Sequence, residues 1–391
     1  MAKKKMKDLS KGYEEVCEAV CSLLSRSEIK GVARDYIRGL LSHVERKNGW
    51  QLAEESGHTT PYAIQHLLGR AKWDAEALRD KLIDYVRCYM DDGASVLVLD
   101  ETGFIKKGRA SAGVARQYSG TAGRIENCQI GVFLTIASSR GATLLDRRLY
   151  IPESWFEDRA RCQAAHIPDS IQFATKIELA QHMLEHAIGQ GIQARWVLGD
   201  AVYGNASALR QMLEQCEINY VLGVSATHKM WVDISQASAA QLIAALEPQQ
   251  WQRCACGQGT KGPRVYDWAL YPINTADELK KQRYLLARRS VREPSEIAYY
   301  RVYAPASASL KEIVEAAGQR WTIECVFESA KGEVGLDQYE VRKWHSWYRH
   351  ITLAMFAHAM LVATRQQVKK KRPAKMGSAS SLLHFKRVRG L

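Results

Sequence analysis

Arg320-Trp-Thr-Ile-Glu324-Cys-Val-Phe-Glu328-Ser-Ala-Lys331 places a carboxylate between two cations at helical spacing. Four residues separate Arg320 from Glu324 and seven separate Glu324 from Lys331. At about 3.6 residues per turn all three share one helix face. A metal-binding carboxylate beside cations that grip phosphates is what phosphodiester chemistry needs. Taken alone, the segment also reads as a surface ladder, Arg320 to Glu324 and Glu328 to Lys331, stabilising by about 0.2–0.5 kcal/mol per pair. What precedes it decides between the two.

Upstream, Ser95-Val-Leu-Val-Leu-Asp100 is an apolar strand that ends in a carboxylate. Further strands are expected at 127–137 and 142–151, joined by short turns as in an antiparallel meander. Apolar Ile177, Ala180, Met183, Leu184 and Ala187 predict a helix over 176–189. Ala194-Arg-Trp-Val-Leu-Gly-Asp200 is a fourth strand ending in a carboxylate. A helix over 206–216 and a fifth strand over 219–224 follow. Three strands, helix, strand, helix, strand is the order of the ribonuclease H fold, still lacking its last helix. Residues 225–306, with short β-like segments at 264–270, 283–287 and 297–302, read as an insertion. The segment 310–331 is the first strong helix after it and supplies the missing element. The expected class is therefore α/β: a ribonuclease H-like mixed five-stranded sheet with flanking helices and a β-rich insertion, behind a helical N-terminal domain.

The expected division is a helical domain over 1–90, a catalytic domain over 91–366 with its insertion at about 225–306, and a basic disordered tail over 367–391. Within the first, the segment from Trp50 to Arg70 suggests helix, turn, helix. Gly57 would end one helix and Thr60 would N-cap the next, with Pro61 at its first position. Such a unit can read DNA, although an ordinary helical hairpin has the same pattern.

An ionised carboxylate at the end of a buried strand is costly without a positive partner. Asp100 and Asp200 converging from adjacent strands, with Glu324 from a helix, would make an oxygen-rich pocket suited to Mg²⁺ or Mn²⁺. Two such ions about 4 Å apart activate an attacking oxygen and stabilise the leaving one. Each Asp alone is also an ordinary turn or helix N-cap residue. Three carboxylates at three matching places of one fold order argue for the site. Glu328 and Glu333 compete with Glu324 for the third position, and Glu101 ranks lower because alternation turns it to the other side of the strand.

These stretches resemble the DDE transposases of bacterial insertion sequences, specifically the subgroup with a β-rich insertion and an Arg-x3-Glu-x6-Lys signature. That pattern falls on Arg320, Glu324 and Lys331, and the resemblance covers roughly residues 40 to 365. Leu99-Asp-Glu-Thr-Gly-Phe-Ile-Lys-Lys-Gly108, Gly199-Asp-Ala-Val-Tyr-Gly204 and Gly332-Glu-Val-Gly-Leu-Asp-Gln-Tyr-Glu-Val-Arg342 carry it too. It implies Asp100, Asp200 and Glu324 as catalytic and metal-binding residues, with Arg320 and Lys331 on phosphates. It implies cleavage at element ends, transfer of the freed 3′-hydroxyl to target DNA, two divalent ions, and a synaptic homodimer on double-stranded DNA. The fuller signature has a Tyr where this chain has Ala317, which leaves hairpin formation on the element end open, with Tyr203 or Trp321 as substitutes. A structure-selective nuclease of the same fold and a non-catalytic DNA-binding descendant are the alternatives.

Other cations are assigned to DNA by type and place. Lys106, Lys107, Arg109 and Arg116 follow the first Asp in a Gly-punctuated loop. Arg342, Lys343, Arg349 and His350 alternate with Trp344, Trp347 and Tyr348, as phosphate and base contacts would. Lys261 and Arg264 would contribute from the insertion. A solvated helix face gives the same pattern for any one of them.

The bulk properties agree. The 391 residues are 46% hydrophobic and 25% charged with a net charge of +13, a globular composition that favours a polyanionic partner. Of nine cysteines only Cys254-Ala-Cys256 is closely paired, which completes no zinc site and suits reduced thiols. The charged N-terminus lacks the apolar core of a signal peptide. The apolar run 351–364 is interrupted by His358 and too short to span a bilayer. A bacterial cytoplasmic, nucleoid-associated protein with no membrane partner is expected.

Overall fold

The computed structural model describes residues 2–232, 234–259, 262–274 and 280–370. Five helices open the chain: α1 (Ala2–Cys21), α2 (Ser27–Leu41), α3 (Gly49–Glu55), α4 (Tyr62–Gly69) and α5 (Ala75–Tyr89). The Asn48 side chain caps α3 by accepting from the Trp50 and Gln51 amides. The turn between α3 and α4 uses Gly57 at φ 76°, the left-handed conformation glycine tolerates best. Pro61, not Thr60, occupies the N-cap of α4, and no side chain caps that helix.

The sheet follows, with β1 (Ser95–Ile105), β2 (Ala115–Ser119), β3 (Arg124–Ser138) and β4 (Gly141–Tyr150). After α6 (Arg159–Ala164) and α7 (Lys176–Gly189) come β5 (Ala194–Gly199), α8 (Ala201–Gly204), α9 (Ser207–Gln215) and β6 (Asn219–Val224). Helix α7 starts at a full capping box, Thr175 with Glu178, and packs on β3 and β4. β3 pairs antiparallel with β1 on one side, and with β2 and then β4 on the other. β1, β5 and β6 run parallel. β2, a strand unforeseen from the sequence, explains why the first connection of the meander is long.

The segment after β6 departs most from expectation. It holds the hairpin β7 (Lys229–Val232) and β8 (Ser235–Ser238), then α10 (Ala239–Ala244), β9 (Gln252–Gly259), β10 (Gly262–Ile273), β11 (Lys281–Arg289) and β12 (Ile297–Pro305). β12 pairs antiparallel with β6, and β11, β10 and β9 follow in order. The result is one ten-stranded sheet, not a five-stranded sheet beside a separate insertion. Backbone donors on the free edge of β6 are met by β12, which leaves no buried edge there.

The chain closes with α11 (Leu310–Gly318), a 3₁₀ turn at Gln319–Trp321, α12 (Thr322–Val334) and α13 (Trp344–Lys370). The expected single helix over 310–331 is thus broken just before its first signature residue. Gly318 is required there: a Cβ would lie 1.7 Å from the Cys256 carbonyl oxygen of β9. Helix α13 is buried all round from Ile351 to Met360, the pattern of a core helix. It packs on β4 and α12 and also on α1, α2, α4 and α5, so the opening helices share one hydrophobic core with the sheet. The basic tail beyond Lys370 lies outside the described residues. Among those residues, no helix is long and apolar enough to cross a membrane.

Candidate active site

The backbone brings the two aspartates together. β1 is buried from Ser95 to Leu99, and Asp100 and Glu101 are the first half-buried residues. Its pairing with β5 ends at Val98 opposite Leu198. Two residues further along each chain stand Asp100 and Asp200. β1 does not stop at Asp100 as expected: it continues to Ile105, because β3 pairs with it throughout. Only its β5 side is open at this level, and the carboxylates meet in that opening. Asp200 N-caps α8, its side chain accepting from the Val202 amide at 2.9 Å. Helix α8 lies against β6 so closely that a Cβ on Gly204 would sit 1.8 Å from the Gly223 carbonyl oxygen. Glycine at 204 is what lets Asp200 turn back toward β1.

Arg320 comes over the pair from the 3₁₀ turn. Its guanidinium lies 3.5 Å from Asp100 and donates to Glu324 at 3.0 Å. Of the three glutamates weighed for the third position, only Glu324 shares a cation with Asp100. Glu328 is exposed and makes no ion pair among the described residues, and Glu333 is paired with Arg365 of α13. Lys331 donates to the Thr102 hydroxyl at 2.8 Å and to Thr121 at 3.4 Å. Thr102 is two residues beyond Asp100 and so on the same face of β1. The Glu328 to Lys331 rung of the simple ladder is not formed.

The site is short of positive charge. Burial and the neighbouring Asp200 push Asp100 up to about 7, against the pull of Arg320 and the Glu101 amide. Asp200 is raised by burial and then by Glu101, against the Val202 amide and Arg320. Burial lowers Lys331, with Asp337 opposing, which suits an ammonium ion bonded only to neutral hydroxyls.

Glu101 turns to the other side of β1 from Thr102, as strand alternation predicts, and there meets α7 and α8. Its carboxylate accepts from Tyr203 Oη at 2.8 Å and from Lys176 Nζ at 2.6 Å. Tyr203 is fully buried three residues after Asp200, and burial with the nearby carboxylates raises its phenol well above the usual range. A protonated Tyr203 therefore donates to Glu101 and ties α8 to β1. Lys176 and Tyr203 were missed in these roles, because nothing in the sequence says that the start of α7 faces β1. As to the missing Tyr at position 317, Ala317 packs against the core. Tyr203 is sealed in this contact, whereas Trp321 is half exposed beside Arg320.

The cations assigned to DNA separate into two sets. Lys107, Arg109, Arg116 and Arg342 are exposed. Lys343 is half-buried and donates to the Ala164 carbonyl. Lys106 is folded back, its Nζ 3.6 Å from the Tyr339 ring centroid, and burial lowers it to about 8. Arg264 donates to the Gly318 carbonyl at 2.7 Å, tying β10 to α11. Arg349 is buried, donating to the Leu68 and Trp73 carbonyls. His350 is fully buried between Tyr36 Oη at 2.6 Å and the Gly335 carbonyl, and burial lowers it to about 4. Neither of these two presents a group to solvent. The basic and aromatic alternation that singled them out belongs to a helix buried on every side. Lys261 lies outside the described residues.

Among the described residues no group of three or more His, Cys, Asp or Glu converges closely enough to hold a metal ion. Arg320 stands between Asp100 and Glu324, paired with both. Asp100 and Asp200 by themselves suit a divalent cation: they are adjacent, half-buried oxygen donors, both raised by burial, with Asp200 adding to the shift of Asp100 and Glu101 to that of Asp200.

Comparison with known proteins places the chain in a class. The profile of the DDE superfamily endonucleases matches residues 19–263, which include both aspartates. The chain belongs to that family. It is also similar to a probable transposase for insertion sequence element IS701 from Microchaete diplosiphon, with 27% identity over 216 residues, 55% of this chain and 53% of the relative. The chain thus spans about half the length of the curated relative it matches.

Proposed function

We propose that this chain is a DNA transposase that cleaves at the ends of its own insertion sequence and joins the freed 3′-hydroxyl to target DNA. The observation that carries the reading is the pair Asp100 and Asp200, set side by side by the β1–β5 register and joined to Glu324 through Arg320. In this reading the strand order β4-β3-β1-β5-β6 with α12 is a ribonuclease H-like catalytic unit, and β7 to β12 are its insertion. Residues 1–90 form a helical module whose α3 and α4 present exposed Trp50 and Tyr62 toward DNA. Residues 91–366 form the catalytic domain, and 367–391 serve as a basic tail.

Asp100 and Asp200 would hold Mg²⁺ or Mn²⁺, with Glu324 joining once Arg320 releases it. Bound there as a pair, the ions would make the attacking oxygen a better nucleophile and stabilise the departing one. The chain's own residues do the rest. Arg320 leaves its two carboxylates for a DNA phosphate, a bidentate exchange its planar fork suits. Lys331, held over β1 by Thr102, adds a second positive charge beside the same phosphate. Glu101, fixed by Tyr203 and Lys176, keeps the two aspartates in register. Water attacks phosphorus first, breaking the bond to the 3′-oxygen; that 3′-hydroxyl then attacks a target phosphorus and displaces a 3′-oxygen there. Two element ends must be held together for this, so a homodimer on DNA is part of the proposal.

The test uses the purified chain, Mn²⁺ and a duplex carrying the DNA that flanks its own coding sequence. Nicking is expected, with loss in Asp100→Asn, Asp200→Asn and Glu324→Gln and retention of DNA binding. Full activity in two of the three variants would overturn the assignment. A strand-transfer assay separates a transposase from a nuclease of the same fold.

A further inference from the structure

A cavity of about 610 Å³ lies between the loop after β1, helix α6 and the segment leading into α13. Its lining holds four cations, Arg109, Arg161, Arg342 and Lys343, with Trp155, three alanines and no carboxylate. None of the four makes an ion pair among the described residues. Asp158, at the start of α6, accepts from the Arg161 backbone amide as the cap of that helix. The walls are fixed. Ala112 N donates to the Arg342 carbonyl at 2.9 Å. Arg161 lies 3.7 Å from the Trp155 ring centroid and donates to the Arg109 and Val114 carbonyls. Trp155 is itself fully buried, with Nε1 on the Val114 carbonyl at 3.0 Å. Four like charges around one cavity repel each other unless an anion sits among them.

We propose that this cavity is a second phosphate-binding site, which holds the backbone of the same DNA strand at a distance from the carboxylates. This rests on the transposase reading. β1 supplies the spacing: from Asp100 to Ile105 it runs roughly 17 Å at about 3.3 Å per residue, and the cavity opens just beyond. With one phosphate per about 3.4 Å along each strand of a duplex, that separation is on the order of five nucleotide steps. An arginine stacked on an indole and held by carbonyls keeps its remaining N–H groups oriented for phosphate oxygens.

Arg109→Gln/Arg342→Gln in the full-length chain is the direct probe, because both side chains are exposed and make no hydrogen bond that holds the fold. Binding of the flanking-DNA duplex is measured against salt concentration without metal. The slope of log affinity on log salt is expected to fall by about 1–2, near 0.9 for each phosphate no longer neutralised, with unchanged melting temperature. Trimming the duplex to fewer than about five nucleotides on that side of the scissile phosphate should weaken wild type and leave the variant unaffected. A variant that keeps the wild-type slope, while wild type binds and nicks, overturns the cavity alone. A wild-type chain that neither binds nor nicks this DNA overturns the transposase reading and the cavity with it.

Discussion

Two clusters of carboxylates and arginines sit on the same sheet and are balanced in opposite ways. On β4, Asp146 is fully buried between Arg79 and Arg147, and Glu76 of α5 is 2.8–3.1 Å from Arg79, Arg147 and Arg148. Arg147 is completed by the Thr352 hydroxyl and the Ala75 carbonyl. With Asp80 also 2.9 Å from Arg79, three carboxylates have three arginines, and these hold Glu76 below its ordinary range despite its burial. On β1, Asp100 and Glu324 share Arg320, Asp200 makes no ion pair among the described residues, and the two aspartates are raised. A satisfied cluster holds elements together, here α5, β4 and α13. An under-neutralised cluster at a strand end is built to receive positive charge from outside.

The comparison can be broken at either end. The largest expected effect is structural: Asp146→Ala takes one of two carboxylates from the buried Arg147, leaving Glu76, and should cost roughly 1–3 kcal/mol in denaturant unfolding. Asp100→Asn, measured the same way, should cost nothing. In nicking assays the order reverses. Asp100→Asn and Asp200→Asn should lose more than the roughly 100-fold that removal of an outer partner of a metal ligand costs. A milder loss, about tenfold, is expected for Tyr203→Phe, which removes one of two partners of Glu101. If Tyr203 only filled space, the phenylalanine variant would keep both the rate and the Mn²⁺ affinity of wild type.

The smallest effect is a pH dependence of stability in metal-free protein. Asp100, held near 7 when folded, keeps a proton that the unfolded chain releases near pH 4. The native state therefore binds more protons between about pH 4 and 7, and stability falls as pH rises through that window. Asp100→Asn should flatten this slope, a gain of roughly 1–2 kcal/mol at pH 8 after solvent screening. Equal unfolding curves for the two proteins at pH 5 and pH 8 would mean that Asp100 is not under-neutralised.

Much of this was legible beforehand. The helix over 176–189 and the strand over 219–224 match the structure residue for residue, because period and capping are local signals. Asp100, Asp200, Arg320 and Glu324 could be nominated because strand ends and helical spacing fix where side chains go. What escaped depended on tertiary contact. The length of β1 is set by β3, the break before Arg320 by the approach of Cys256 to Gly318, and the bond from Glu101 to Tyr203 by the packing of α8. Arg349 and His350 looked like DNA contacts because charge next to aromatic residues reads alike on a solvated face and in a polar core. Only the partners Leu68, Trp73, Tyr36 and Gly335 distinguish the two.

The central claim is that Asp100 and Asp200 await a divalent cation, and Mn²⁺ titration followed by calorimetry tests it directly. Affinity in the wild-type chain should rise from pH 6 to pH 8 as Asp100 loses its proton, and should vanish in both Asp100→Asn and Asp200→Asn. Binding that is equal at the two pH values and survives both substitutions would contradict the account.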